Sequence, residues 1–190
     1  MKKALALVFT LMPTLALAAS APPQPRIVVI DRAAILQFSK VGQDIAKQVQ
    51  AYANQAKKDL SAQGNALQKE GQQLQQQVAI LAPDLKKQKI AAFEARQSSL
   101  QNAAQKKDEQ IRGGFMAARV AVEKVLGPIL QEIVKERGAN MVLDKQAVVY
   151  ANNPAFDITG EAIEKLNAKM ASYKVTLQAP PAPPNAMAKK

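Results

Sequence analysis

From Ile45 onward, apolar or small residues recur at spacings of three, four or their sums: Ile45, Val49, Tyr52, Ala56, Leu60, Leu67, Leu74, Val78 and Leu81. That period keeps one helix face apolar throughout, and the Gln, Lys and Ala between these positions are competent helix formers. Ala82-Pro83-Asp84 interrupts the pattern. Proline inside a helix costs about 3 kcal/mol but suits the first turn of a new one. A second run continues through Ile90, Phe93, Leu100, Ala104, Ile111, Phe115, Ala118, Val122, Val125, Ile129 and Ile133. Two long helices joined by a short turn lie antiparallel, so the pattern predicts a helical hairpin. Each arm would be roughly 55 Å long at about 1.5 Å per residue. The seam is weak: Gln63 and Gly71 stand where apolar residues are expected, and many seam positions are alanine. Gly113-Gly114 and Gly127-Pro128 are candidate hinges, the latter expected to kink or break the helix.

Outside the arm the period changes. Ile27-Val28-Val29-Ile30, bounded by Pro25 and Asp31, reads as a short strand buried on both faces. A helical pattern starts at Arg32, with a break near Gly42. Past Gly138, Met141-Val142-Leu143 and Ala147-Val148-Val149-Tyr150 are strand-like and read as a hairpin across Asp144-Lys145-Gln146. Asn152-Asn153-Pro154 marks a turn. Thr159 is placed to cap a last helix, with Ile158 and Ile163 as a staple across the cap. Glu161 near its start, and Lys165 and Lys169 further along, suit the helix dipole. The tail from Ala179, with Pro180-Pro181-Ala182-Pro183-Pro184, should be extended or disordered.

These elements imply a mainly α chain with a small β body. The expected divisions are a signal peptide (1–18), a Pro-rich lead-in (19–25), a β/α oligomerisation body (26–44 and 120–175), a helical-hairpin arm (45–119) and a Pro-rich disordered tail (176–190). The strands come from opposite ends of the arm and must meet at its base. Three short strands make a marginal core, and pairing strands between subunits would remove their open edges. An oligomer is therefore expected, built on Ile27, Val28, Val29, Ile30, Met141, Val142, Leu143, Val148 and Val149.

The first residues set the compartment. Lys2 and Lys3 precede the apolar stretch Ala4 to Leu17, and Ala16-Leu17-Ala18 supplies the small residues of a cleavage site. The stretch is short for a bilayer span and contains Pro13. Cleavage after Ala18 and export are expected. The chain has no cysteine, histidine or tryptophan, and aromatic residues make up 4%. Low aromatic content favours an elongated shape over a large compact core. Without His or Cys the usual neutral-pH general base and the Cys/His zinc sites are excluded. Gly113-Gly114 has no phosphate-loop context. Neither an enzyme nor a cofactor is expected.

Formal net charge is +11, or +9 without Lys2 and Lys3. Between Lys57 and Lys135 thirteen basic residues face eight acidic ones, densest at Lys57-Lys58, at Lys86-Lys87 with Lys89, and at Lys106-Lys107 with Arg112. Such charge suits acidic polypeptides, anionic lipid headgroups or nucleic acid, or merely solvates the helices. Nucleic acid is disfavoured by export and by the lack of stacking aromatics.

The layout resembles one family. Arg26-Ile27-Val28-Val29-Ile30-Asp31, Val41-Gly42 at the arm's root, Met141-Val142-Leu143-Asp144, Ala147-Val148-Val149-Tyr150 and Asp157-Ile158-Thr159 are similar to the Skp/OmpH periplasmic chaperones over about Arg26 to Leu166. The resemblance implies a homotrimeric jellyfish. An intersubunit β-barrel would carry three helical arms around a cavity that holds unfolded outer-membrane proteins, without ATP. Lipopolysaccharide is a further ligand proposed for such proteins, and no basic arm residue here is assigned to such a site. Gly113-Gly114, Gly127-Pro128 and the Pro-rich tail depart from the pattern. The competing readings are an adaptor coiled coil of the envelope and an anionic-lipid-binding envelope protein. A continuous apolar stripe would favour the adaptor's rigid spacer, and the seam here is gapped.

Overall fold

The computed structural model describes residues 24–150 and 153–181. The expected signal peptide, most of the lead-in and residues 182–190 of the tail lie outside these residues. Strand β1 (Ile27–Ile30) leads into α1 (Arg32–Phe38) and the long helices α2 (Lys40–Gln77) and α3 (Pro83–Glu136). Strand β2 (Met141–Asp144), two single-turn 3-10 segments and α4 (Thr159–Lys169) follow. β1 and β2 pair in parallel, with Ile27 opposite Met141 and Ile30 opposite Asp144. A parallel pair needs a long crossover, and here the whole hairpin is that crossover.

Local chemistry sets each boundary. The Asp31 carboxylate accepts from Ala34 N at 2.9 Å and starts α1. Ser39 both ends α1 and caps α2, its hydroxyl accepting from Gly42 N at 3.1 Å. The break expected near Gly42 therefore lies three residues earlier. Gly42 answers a different demand: a Cβ there would overlap the Leu36 carbonyl, so α1 folds back onto the first turn of α2 only over a glycine. Val78 to Leu81 turn the chain, and Pro83 opens α3 as expected.

The helices measure 38 and 54 residues, roughly 57 and 81 Å at about 1.5 Å per residue. Helix α3 runs unbroken through Gly127 and Pro128, so the expected break is absent. Pro128 is exposed, while Leu126, Ile129 and Ile133 are buried in the core. Proline removes a helix hydrogen bond on the exposed side, while these buried residues pack the opposite side.

Packing density differs sharply along the molecule. Ile30, Ile35, Val41, Ile45, Val122, Ile129, Ile133, Ile158 and Leu166 are all at most 1% exposed. Between Ala46 and Arg112 no residue is buried. There the seam is a row of half-buried side chains, including Leu60, Leu67, Leu74, Ile90, Phe93 and Leu100. Gly71 is part of this seam rather than a gap: the Phe93 ring fills its place, 3.1 Å from where a Cβ would stand. Phe115, expected on the seam, is 36% exposed.

Two expectations near the C-terminus are corrected. Ala147 to Tyr150 do not form a strand. Asp144 accepts from Gln146 N at 3.0 Å and turns Lys145–Ala147 into a 3-10 segment, leaving Val149 and Tyr150 exposed. Thr159 is not the cap of α4. Its N–H donates to Asp157 Oδ1 at 2.9 Å, and its hydroxyl accepts from Asp31 N at 2.9 Å, joining α4 to β1.

The C-terminal stretch adds a further element. Met170 to Pro181 is an extended strap that climbs from α4 along the root of the hairpin, touching α2 and α3. The tail expected from 176 is thus laid down as far as Pro181. It also accounts for Gly113 and Gly114, which are buried within α3 against the strap. A Cβ on Gly113 would overlap the Gln178 carbonyl, and one on Gly114 would lie 2.6 Å from Thr176 O.

Candidate functional site

The body presents an apolar face that the described residues leave open. Val28, Val29 and Ile30 are buried, but Ile27, Met141 and Val142 are 37–45% exposed. On its far side β1 receives a bridge at Val29 from Asp157, with Ile158 N donating to Val29 O at 2.9 Å. β2 has no strand on its other edge among the described residues. A concavity of about 760 Å³ opens here, bounded by Ile27, Val29, Leu143, Val148, Tyr150 and Phe156, among others. The expected body residues therefore divide. Val28 and Ile30 belong to the chain's own core and Val29 is buried at the edge of the concavity, whereas Ile27, Met141, Val142 and Val149 point outward and Leu143 and Val148 are half-buried. Phe156, 42% exposed, joins this face and carries no strand-like pattern that would have marked it.

Ion pairs also tie α3 to α4. Lys165 donates to Glu132 at 2.7 Å and to Glu136 at 2.9 Å, and Lys169 donates to Glu132 at 3.1 Å. Hydrogen bonding to Glu132 and Glu136 raises the Lys165 pKa to about 12, and the same contacts hold Glu132 below its ordinary value. At the strand end Lys145 donates to Asp157 at 2.8 Å, which raises the lysine. Burial pushes Asp157 upward, but Lys145 and Thr159 outweigh it and the carboxyl is held low.

The arm carries the charge. Lys57, Lys58, Lys86, Lys87, Lys89, Lys106, Lys107 and Arg112 are all exposed. None of the eight makes an ion pair among the described residues; across the arm Arg96 pairs with Glu70. The eight do not converge on one pocket. Lys86, Lys87 and Lys89 stand near the tip, Lys57 and Lys58 midway on α2, and Lys106, Lys107 and Arg112 nearer the root. Interspersed apolar side chains are also exposed: Ile80 and Leu85 at the tip, and Phe115, Met116 and Val120 near the root. Met116 and Val120 are one helical turn apart on α3, a pairing visible in the sequence but hidden by the stronger seam period. Among the described residues no metal-binding cluster of acidic side chains occurs, and no helix is long and apolar enough to cross a membrane.

The fold and the site define a class: a long two-helix arm on a small parallel β/α body with an open apolar face. Residues 26–166 match the family described as outer membrane protein (OmpH-like), and the chain belongs to that family. Its fold is similar to the crystal structure of a Caulobacter crescentus CB15 protein described as an OmpH-like outer membrane chaperone. The TM-score is 0.74 at 22% identity, covering 83% of this chain and 93% of that one. No curated protein matches the chain.

Proposed function

We propose that this protein is a periplasmic holding chaperone that keeps unfolded outer-membrane proteins from aggregating, without ATP and without a catalytic step. OmpH-like proteins are chaperones, not enzymes. One observation carries the reading: no residue between Ala46 and Arg112 is buried, while the body beneath is closely packed. Few buried contacts and many exposed backbone turns are the physical content of a compliant element. Such an arm can re-pack around varied clients. Scattered exposed apolar groups and unpaired cations offer many weak contacts, and positive potential speeds capture of acidic chains.

In this reading the open face of the body is a subunit interface. A homotrimer would close the exposed edge of β2 into an intersubunit barrel, with three arms around a cavity. The exposed Ile27, Met141, Val142 and Val149 support that interface, since solvent-exposed apolar edges are otherwise a liability. A second reading, binding of anionic lipid or lipopolysaccharide, is favoured by the eight exposed cations, and co-sedimentation with anionic vesicles tests it. The chaperone reading is tested by light scattering after a urea-unfolded outer-membrane barrel protein is diluted into buffer. Scattering suppressed by the mature chain without nucleotide is the expected result. Undiminished scattering from a folded oligomer would contradict it.

A further inference from the structure

At the arm's root lies a groove built to read a polypeptide backbone. Asp44, Gln48 and Tyr52 stand at four-residue intervals and share one face of α2. The Gln48 amide nitrogen donates to Tyr173 O at 2.7 Å, while Val175 N donates to the Gln48 side-chain oxygen at 2.9 Å. This is the pair of bonds that a neighbouring strand would exchange with an extended chain. Tyr173 N donates to the Asp44 carboxylate at 3.1 Å, and the Tyr52 hydroxyl donates to Val175 O at 3.1 Å. From the other wall, Gln110 O accepts from Gln178 N at 3.2 Å. Every one of these bonds engages main chain of the bound segment.

The opposite wall is Gly113-Gly114, which lets that backbone come closer than any side chain would permit. Side-chain packing centres on one socket, where Val175 is 1% exposed and lies beside Gly114, while Met170 and Tyr173 are half-buried against the core. Ala171, Ser172, Lys174, Thr176, Gln178 and Ala179 are exposed. The strap also lies beyond residues 26–166, the span that matches the OmpH-like family. The groove thus takes an extended chain with apolar residues at alternate positions, Tyr173, Val175 and Leu177, of which only the β-branched one is fully buried. Strands of a transmembrane barrel alternate polar and apolar residues along an extended backbone, so their unfolded segments meet the same demand. One fully buried side chain, the half-buried Met170 and Tyr173 and a few bonds at a groove's mouth hold the strap, fewer contacts than hold the body, which places its release toward the low-stability end of the molecule's motions.

We propose that this groove is a binding site for an extended segment of an unfolded polypeptide, that residues 170–181 occupy it in cis, and that a client captured at the arm's root displaces this strap. The second part rests on the holding-chaperone reading; the groove itself does not.

The probe is a fluorescein-labelled synthetic peptide with the sequence of residues 170–181, read by anisotropy against the full mature chain. Val175→Asp should empty the socket and release the strap, and the chain then binds the peptide at least tenfold more tightly than the unaltered one. Adding Gln48→Ala to that variant should cost at least tenfold. A spin label on Lys174→Cys, in a chain otherwise free of cysteine, reports the release, and an unchanged helical circular-dichroism signal shows that the body stays folded. Urea-unfolded barrel protein should displace the peptide and, in the unaltered chain, mobilise the label. A freed strap with no gain in peptide binding overturns the proposal, as does a strap that stays immobile in Val175→Asp or a bound peptide that the client cannot displace. Failure to suppress client aggregation with peptide binding intact would contradict the chaperone reading alone.

Discussion

Gly113 and Gly114 show how one residue type answers two opposing demands. A glycine inside a helix costs about 1 kcal/mol relative to alanine, and two in succession read as a weak point. Here they are buried and pressed against Gln178, Ala179 and Thr176. The account predicts a sign change. In the full chain, Gly113→Ala with Gly114→Ala should expel the strap and lower the urea midpoint. In a chain ending at Lys169 the same pair should stabilise α3 by roughly 1–2 kcal/mol from helix propensity. Equal effects in both backgrounds would contradict the close-approach role. Electrostatics at the same scale has two pH limits. Glu132 titrates below its ordinary 4.5 and Lys165 near 12. The carboxylate's contribution is present above 4.5 and is lost as pH falls through its lowered value. The lysine's contribution is full below 10.5 and is lost as pH rises toward 12. Glu132→Gln should therefore flatten the acid side of the melting-temperature profile, and an unchanged profile would show that the pair is idle.

At the scale of elements, the helices were legible and the strands only partly so. The three- and four-residue period ran for nearly the whole arm, and Pro83 marked the turn, so both signals pointed to the same structure. The strand β1 was equally plain, because a β-branched run between Pro25 and Asp31 has few alternatives. Ala147 to Tyr150 misled for a physical reason. Strand propensity describes fitness for a pleated, half-buried surface, and within one chain no neighbour supplies that surface beside Val149. The candidate cations were legible individually, yet their spread along the arm was not. The strap was illegible, because its bonds join Asp44 and Gln48 to residues more than 120 positions away. Only its short alternation of Tyr173, Val175 and Leu177 stands in the sequence, and that does not name the surface it packs on. Two substitutions test the elements. Ser39→Ala removes the buried cap between α1 and α2 and should cost about 1 kcal/mol in urea unfolding. Pro128→Ala should raise the melting temperature while leaving client capture unchanged, since α3 passes through Pro128 unbroken; slower capture would restore the hinge.

The whole molecule joins a packed body to an arm with no buried residue between Ala46 and Arg112. That contrast suits a protein whose body fixes assembly and whose arm adapts. Charge reversal of Lys86, Lys87 and Lys89 to Glu should slow client capture at low salt and lose its effect as salt screens the arm. Capture rates indifferent to salt would remove steering from the account. The central claim, that arms carried on a shared body enclose an unfolded client, is met most directly by sedimentation. Mature chain, with and without urea-unfolded barrel protein freshly diluted from denaturant, should sediment first as a trimer and then as one trimer carrying one client. Introducing Val142→Asp on the open face should collapse both species to monomer. A wild-type chain that sediments as a folded monomer, or a trimer that leaves the client to pellet alone, would contradict the account.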